Sequence, residues 1–133
     1  SRMIAILPVA EQDRAALLGR FGLSGPAFCL AASDGKECLG SAAYRLEGET
    51  MELLAAEGVD ARLLDGLLRA ALNAALDAGA RTAVCTMPSL FPALKQLGFQ
   101  DVPDNGTGSG KTPRMQAEIF GIFSRGCPGG CHQ

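Results

Sequence analysis

The sequence predicts an α/β domain in which helices flank a sheet that is largely antiparallel. Three observations carry that prediction. Three extended segments follow one another with only short turn signals between them. The stretch from Asp60 to Gly79 then carries one broad apolar stripe at helical spacing. A short apolar run and a second helical pattern come after it. A chain of 133 residues is one domain in length, long enough to bury most of its apolar surface without metals or disulfides. Residues 1–124 are therefore read as one domain and 125–133 as a Cys/Gly-rich tail.

In chain order, "MIAIL" (Met3 to Leu7) is an apolar run closed by Pro8 and reads as a strand. "EQDRAALLGRF" follows, with Ala15, Leu18 and Phe21 close to helical spacing. Gly22 to Pro26 break that pattern, and "AFCLAA", "CLGSAAYRL" and "TMELLAA" read as strands of a meander. Ser33-Asp34-Gly35 and Glu47-Gly48-Glu49 supply the tight connections between them. Asp60 is a good N-cap and Gly79 a good residue just past a helix end. Between them Leu63, Leu64, Leu67, Leu68, Ala71, Leu72, Ala75 and Leu76 share one face, with Arg62, Asp65, Arg69, Asn73 and Asp77 opposite. Such a helix lies on a sheet with its charges in water. Arg69 and Asn73, one turn apart on that polar face, read as a solvated surface or as a substrate contact.

"TAVCT" reads as a buried strand, and "SLFPALKQLGF" as a helix capped by Ser89 and closed by Gly98. Pro92 falls in its first turn, where a missing N–H is harmless. After "QDVPD" a Gly/Ser/Thr stretch reads as a loop. In "PRMQAEIFGIFSR", Met115, Ile119, Ile122 and Phe123 have helical spacing, and Pro113 suits a helix start. A strand stays open there, because Ala117, Ile119, Gly121 and Phe123 also alternate. No internal repeat is present.

Composition excludes several functions. Hydrophobic residues make up 47% of the chain, yet no apolar run reaches the ~20 residues of a membrane span, so no membrane partner is expected. A net charge of −2 without a basic cluster lacks the footprint of nucleic-acid binding. With no Trp and one Tyr, Tyr44, stacking surfaces for bases or sugars are scarce. The run "NGTGSGKT" (residues 105–112) resembles a phosphate-binding loop, but such a loop needs Gly six residues before its Lys, and Asn105 stands there ahead of Lys111. Cys29, Cys38, Cys85, Cys127 and Cys131 are odd in number and unevenly spaced, with no secretory leader pattern before them. A cytoplasmic location is expected, and a homodimer stays open. The first three cysteines, in strand-like segments, read as small core hydrophobes.

The tail "CPGGCH" places Cys127, Cys131 and His132 together, and these are ligand types that zinc takes. A fourth ligand is missing, so free thiols, a redox pair and a metal site all stay open there.

The order of strand, helix, three strands, long helix, buried strand and helix ending in "LGF" resembles the GNAT superfamily of acyl-CoA-dependent N-acyltransferases. The resemblance covers roughly residues 3–102. It implies a GNAT-like mixed, mostly antiparallel sheet in which the fourth strand splays from the fifth. It also implies that pantetheine meets the backbone of Leu54, Ala55 and Ala56. The pyrophosphate of acetyl-CoA or another acyl-CoA would lie on the turn formed by Arg62, Leu63, Leu64, Asp65, Gly66 and Leu67, because a helix N-terminus offers free donors and a positive dipole end. The family's pattern there is Arg or Gln, two residues, Gly, one residue, then Gly or Ala. This chain has "RLLDGLL", with Asp65 and Leu67 at the small positions and Gly66 one place off. Many members carry a Tyr as acid where this chain has Leu94. For the base, the resemblance points to Glu52 and Glu57, which also read as an outward strand residue and a turn residue.

Two functions follow from the resemblance. One is acyl transfer from acyl-CoA to a small-molecule or peptide amine. The other is a catalytically silent module of the same fold that binds a ligand or partner, with the tail as a thiol or metal element.

Overall fold

The computed structural model describes residues 3–102 and 113–124. The Gly-rich run with Lys111 and the tail with Cys127, Cys131 and His132 lie outside these described residues.

The described residues build one seven-stranded sheet in the order β1-β2-β3-β4-β5-β7-β6. The meander is β2 (Phe28–Ser33), β3 (Cys38–Glu47) and β4 (Thr50–Gly58), with β1 (Ala5–Pro8) antiparallel on its outer edge. Pro8 ends β1 inside the ladder, opposite Leu30, a place where a missing donor is tolerated because the strand is an edge. Helix α1 (Glu11–Arg20) links β1 to the meander, and α2 (Ala61–Asp77) carries the chain from β4 to β5 (Thr82–Cys85). These two strands run parallel, which requires a crossover of this kind. Every other pairing is antiparallel. The architecture is the mixed, mostly antiparallel sheet flanked by helices that the sequence predicts.

Helix α2 forms for the reasons its sequence gives. The Asp60 side chain accepts the Leu63 N–H at 2.8 Å, and Gly79 adopts φ 105° one residue past the Ala78 cap. Leu63, Leu67, Leu68, Ala71, Leu72 and Ala75 are buried on the sheet. They form the main core together with Leu90, Leu94 and Leu97 and with Ile119 and Ile122. Helices α2, α3 (Phe91–Leu97) and α4 (Ile119–Ser124) therefore share one face of the sheet. The opposite face has a smaller core, in which Leu18 of α1 packs with Ala27, Cys29, Ala43 and Leu54.

Two expectations are corrected, at Ser89 and Cys38, and the open alternative after Pro113 is decided. Ser89 does not cap α3: it lies inside a 3-10 turn at Pro88–Leu90, and the residue before α3 is Leu90, which makes no side-chain cap. Pro88 draws Met87 into extended backbone, so the helical stretch restarts later. The segment from Pro113 is not one helix but a strand, β7 (Met115–Glu118), followed by α4. Pairing of Met115 with Cys85 and of Ala117 with Ala83 overrides the helical spacing, and β6 (Gln100–Asp101) pairs on the other side. Cys38 is exposed, unlike the buried Cys29 and Cys85, because it opens β3 beside a register shift at Ala32/Ser33.

Packing is tight where the chain passes from β4 into α2. Gly40 of β3 stands opposite Gly58 of β4. A Cβ on Gly40 would come within 2.6 Å of the Glu57 carbonyl oxygen and 2.8 Å of Leu67 Cδ1. A backbone carbonyl cannot swing aside, so Gly40→Ala is expected to cost about 1–3 kcal/mol and to lower Tm by several degrees in thermal melts followed by circular dichroism. Gly19→Ala, in open space on α1, is expected to raise stability by about 0.5–1 kcal/mol.

Burial pushes the Cys29 and Cys85 thiols above their ordinary 9.0 and the Tyr44 phenol above its ordinary 10.0. Smaller influences are the Arg14 charge, which lowers Cys29, and the Met87 amide, which lowers Cys85. The folded chain thus keeps protons that the unfolded chain releases, and the associated stability is complete below the unfolded pKa and lost as pH rises past it. The urea midpoint is expected to fall as pH rises beyond the ordinary thiol value of 9.0. In Cys85→Ala that alkaline slope should be shallower, even though the cavity lowers the midpoint at neutral pH.

Candidate active site

Strands β4 and β5 pair only from Thr50/Thr82 to Leu53/Cys85, although β4 runs on to Gly58. Past Cys85 the chain turns into the Pro88–Leu90 turn, with the Met87 N–H donating to Cys85 Sγ at 3.4 Å. The stretch from Leu54 to Gly58 is therefore bonded to β3 on one side and has no β5 partner on the other. This is a wedge that opens toward the start of α2.

The wedge has a local cause. Ala43 pairs with Ala55 and Tyr44 with Leu53, so Leu54 is an extra residue in β4 with none opposite it in β3. A bulge of this kind bends its strand and increases the local twist, which turns β4 away from β5. It also changes which way the following side chains face. Side chains alternate along a strand, so Glu52 and Glu57 would lie on opposite faces of a regular β4. With Leu54 inserted, both lie on the α1 face, in register with Arg45 and Ser41 of β3.

The two carboxylates have different surroundings. Glu52 sits one residue before the strands part, and Arg45 NH1 donates to its Oε1 over a long 3.4 Å. Arg45 also donates to the Pro26 and Ser24 carbonyl oxygens at 3.4 Å each. The Glu52 charge adds slightly to the rise at Cys85, after burial. Glu57 lies at the far end of β4, tied by an ion pair to Arg20, which also donates to the buried Ser41 hydroxyl. On the α1 face an open cleft of about 710 Å³ is lined by Arg14, Leu18, Ala27, Phe28, Arg45 and Glu47, among others. Leu18 and Ala27 pack with Leu54, so the floor of this cleft abuts the bulge. Arg45 joins the cleft to Glu52. Tyr44 is stacked on Phe28 with 5.5 Å between ring centroids, and Leu94 is fully buried in α3. The Arg45–Glu52 register, the bulge and the cleft were all beyond sequence reasoning; only a matched partner strand reveals them.

The residues of the expected pyrophosphate turn are all inside α2. Arg62 is exposed in the first turn and Leu63 is buried. The backbone of Leu64 lies 3.0 Å from where a Cβ on Gly58 would be. Asp65 pairs with Arg69 at 2.8 Å, Gly66 passes over Ile6, and Leu67 is buried against Gly40. The open side of β4 runs along Leu54, Ala55 and Ala56, and only Val59 and Asp60 connect β4 to α2. Arg69 is thus held by Asp65 within α2. Among the described residues no cluster of His, Cys, Asp or Glu could hold a metal ion. No described helix is long and apolar enough to cross a membrane.

No family model matches the sequence, and no curated protein matches it. Solved structures do match the fold. A Klebsiella pneumoniae protein provisionally described as an acyl-CoA N-acyltransferase is 17% identical, with TM-score 0.69 over 89% of this chain and 99% of its own. A GNAT-family acetyltransferase from Staphylococcus aureus is 9% identical, with TM-score 0.63 over 88% of this chain and 99% of its own. A Bacillus subtilis acetyltransferase solved with CoA is 14% identical, with TM-score 0.61 over 87% of this chain and 99% of its own. At these identities the likeness is one of architecture, and the chain has the GNAT-like fold.

Proposed function

We propose that the protein is an N-acyltransferase that moves an acetyl or other acyl group from an acyl-CoA-type thioester to a small-molecule or peptide amine. The observation that carries this reading is the wedge: β4 leaves β5 after Leu53, and Glu52 stands at that point. The thioester supplies an activated acyl carbon. The free backbone of β4 at Leu54, Ala55 and Ala56 aligns its arm as an added strand would, through main-chain hydrogen bonds. The acceptor amine approaches from the cleft on the α1 face, across the bulge. Glu52 takes the proton of the amine as the new C–N bond forms and the C–S bond breaks. The departing thiol needs no dedicated acid, because an ordinary thiolate is stable enough to leave, which suits a chain with Leu94 where many members of the resembled family carry Tyr. Glu57, held by Arg20, is the second candidate base and the less free of the two.

A second reading is a catalytically silent module of the same fold, favoured by the absence of a glycine turn ahead of α2. The two readings are separated by calorimetric titration with acetyl-CoA, followed by a thiol-release assay over a panel of amines. The transferase reading expects saturable binding and turnover with at least one amine, and a folded sample that binds nothing at millimolar acetyl-CoA would defeat it. Glu52→Gln is expected to lower kcat by about 10²-fold or more with thioester affinity unchanged, while Glu57→Gln should change kcat by no more than a few-fold.

A further inference from the structure

We infer that the nucleotide half of acyl-CoA adds nothing to donor recognition in this chain, and that the donor selected is an acyl thioester on a pantetheine arm without a diphosphate. The inference rests on the transferase reading above and deepens it.

The argument starts from the joint between β4 and α2. Only Val59 and Asp60 separate Gly58 from the first residue of the helix. The Val59 N–H is itself bonded to the Leu39 carbonyl oxygen at 3.0 Å, so this connection is fastened to β3 and cannot wrap around a ligand. The joint itself is filled, because the Leu64 backbone is packed onto Gly58 with no room for even a methyl group at ordinary contact distance.

One donor at the helix start is also taken, and by an anion. Asp60 Oδ1 holds the Leu63 N–H at 2.8 Å, while the Leu64 N–H makes the first ordinary helical bond, to the Asp60 carbonyl oxygen at 3.0 Å. A carboxylate therefore already occupies the place where a helix N-terminus would receive an anion. The amides of Ala61 and Arg62 lie one and two residues from that negative charge. A diphosphate brought there meets repulsion from Asp60 as well as the loss of the Leu63 donor. The residues further along are engaged in packing, with Gly66 over Ile6 and Leu67 against Gly40.

None of this touches the wedge. The unpaired side of β4 begins at Leu54 and is shaped by the bulge, well before the joint. The chain thus keeps the surface for the arm and closes the surface for the nucleotide.

The test compares pantetheine, 4′-phosphopantetheine and CoA by calorimetry on the full chain at one ionic strength. The dissociation constants of pantetheine and CoA are expected to agree within about threefold, less than 1.4 kcal/mol apart on the tenfold scale. Asp60→Asn keeps a capping oxygen and removes the charge, so it should tighten CoA by about fivefold while leaving pantetheine unchanged. Tighter binding of 4′-phosphopantetheine than of pantetheine would assign the arm to a carrier that attaches it through one phosphate. Equal binding would assign it to free thioesters. CoA binding tenfold or more tighter than pantetheine in the unaltered chain, or a CoA affinity that ignores Asp60→Asn, would overturn the inference alone. Failure of all three ligands to bind would instead remove the transferase reading on which it rests.

Discussion

One extra residue in β4 sets the arrangement on which the rest of this molecule depends. Strand side chains alternate with a period of two, and Glu52 and Glu57 are five positions apart. In a regular strand one of them would point beneath α2, into a core of Leu53, Leu67 and Leu72, where an unpaired carboxylate is heavily penalised. The bulge at Leu54 resolves that conflict by sending both to the α1 face, beside Arg45 and Arg20. The same distortion turns β4 out of line with β5. Core integrity and the open wedge are therefore two results of one change in register.

The close joint between β4 and α2 is a second constraint, and it works in the opposite direction. Gly40 and Gly58 let the helix settle onto the sheet until Leu67 and the Leu64 backbone reach contact with it. This buries a continuous leucine face and gives α2 a firm start, capped by Asp60. A helix seated so low leaves no slack ahead of its first turn.

Much of this architecture was legible in the residues. Asp60 and Gly79 bracket α2 as their cap chemistry predicts, and the turns around Gly35 and Gly48 separate the three meander strands as expected. The rest was decided by partners distant in sequence. Met115 shares a helical rhythm with Ile119 and Ile122 but is captured by β5, so the first half of the segment becomes the strand that the alternation from Ala117 also allowed. Ser89 looks like a cap, yet Pro88 ahead of it sets a 3-10 turn. At the candidate site, Glu52 and Glu57 were identifiable as residues on or near the fourth strand, and Asp65 and Leu67 as misfits in the expected turn. Their common face, the ion pair of Glu57 with Arg20 and the bulge itself depend on the register with β3, which no local pattern encodes. Asp60 was readable as a cap, but its second effect, an anion lodged at the helix start, appears only when the short joint to β4 is seen.

Arg45 reaches Glu52, the Ser24 carbonyl and the Pro26 carbonyl with one guanidinium, each at 3.4 Å. A single cation is thus shared between a carboxylate at the wedge and the segment that walls the cleft. Whatever draws Glu52 away from Arg45 alters the grip on residues 24–26, and by reciprocity whatever reshapes that segment alters the charge environment of Glu52. The wall of the cleft and the carboxylate thus hang on one shared side chain, Arg45.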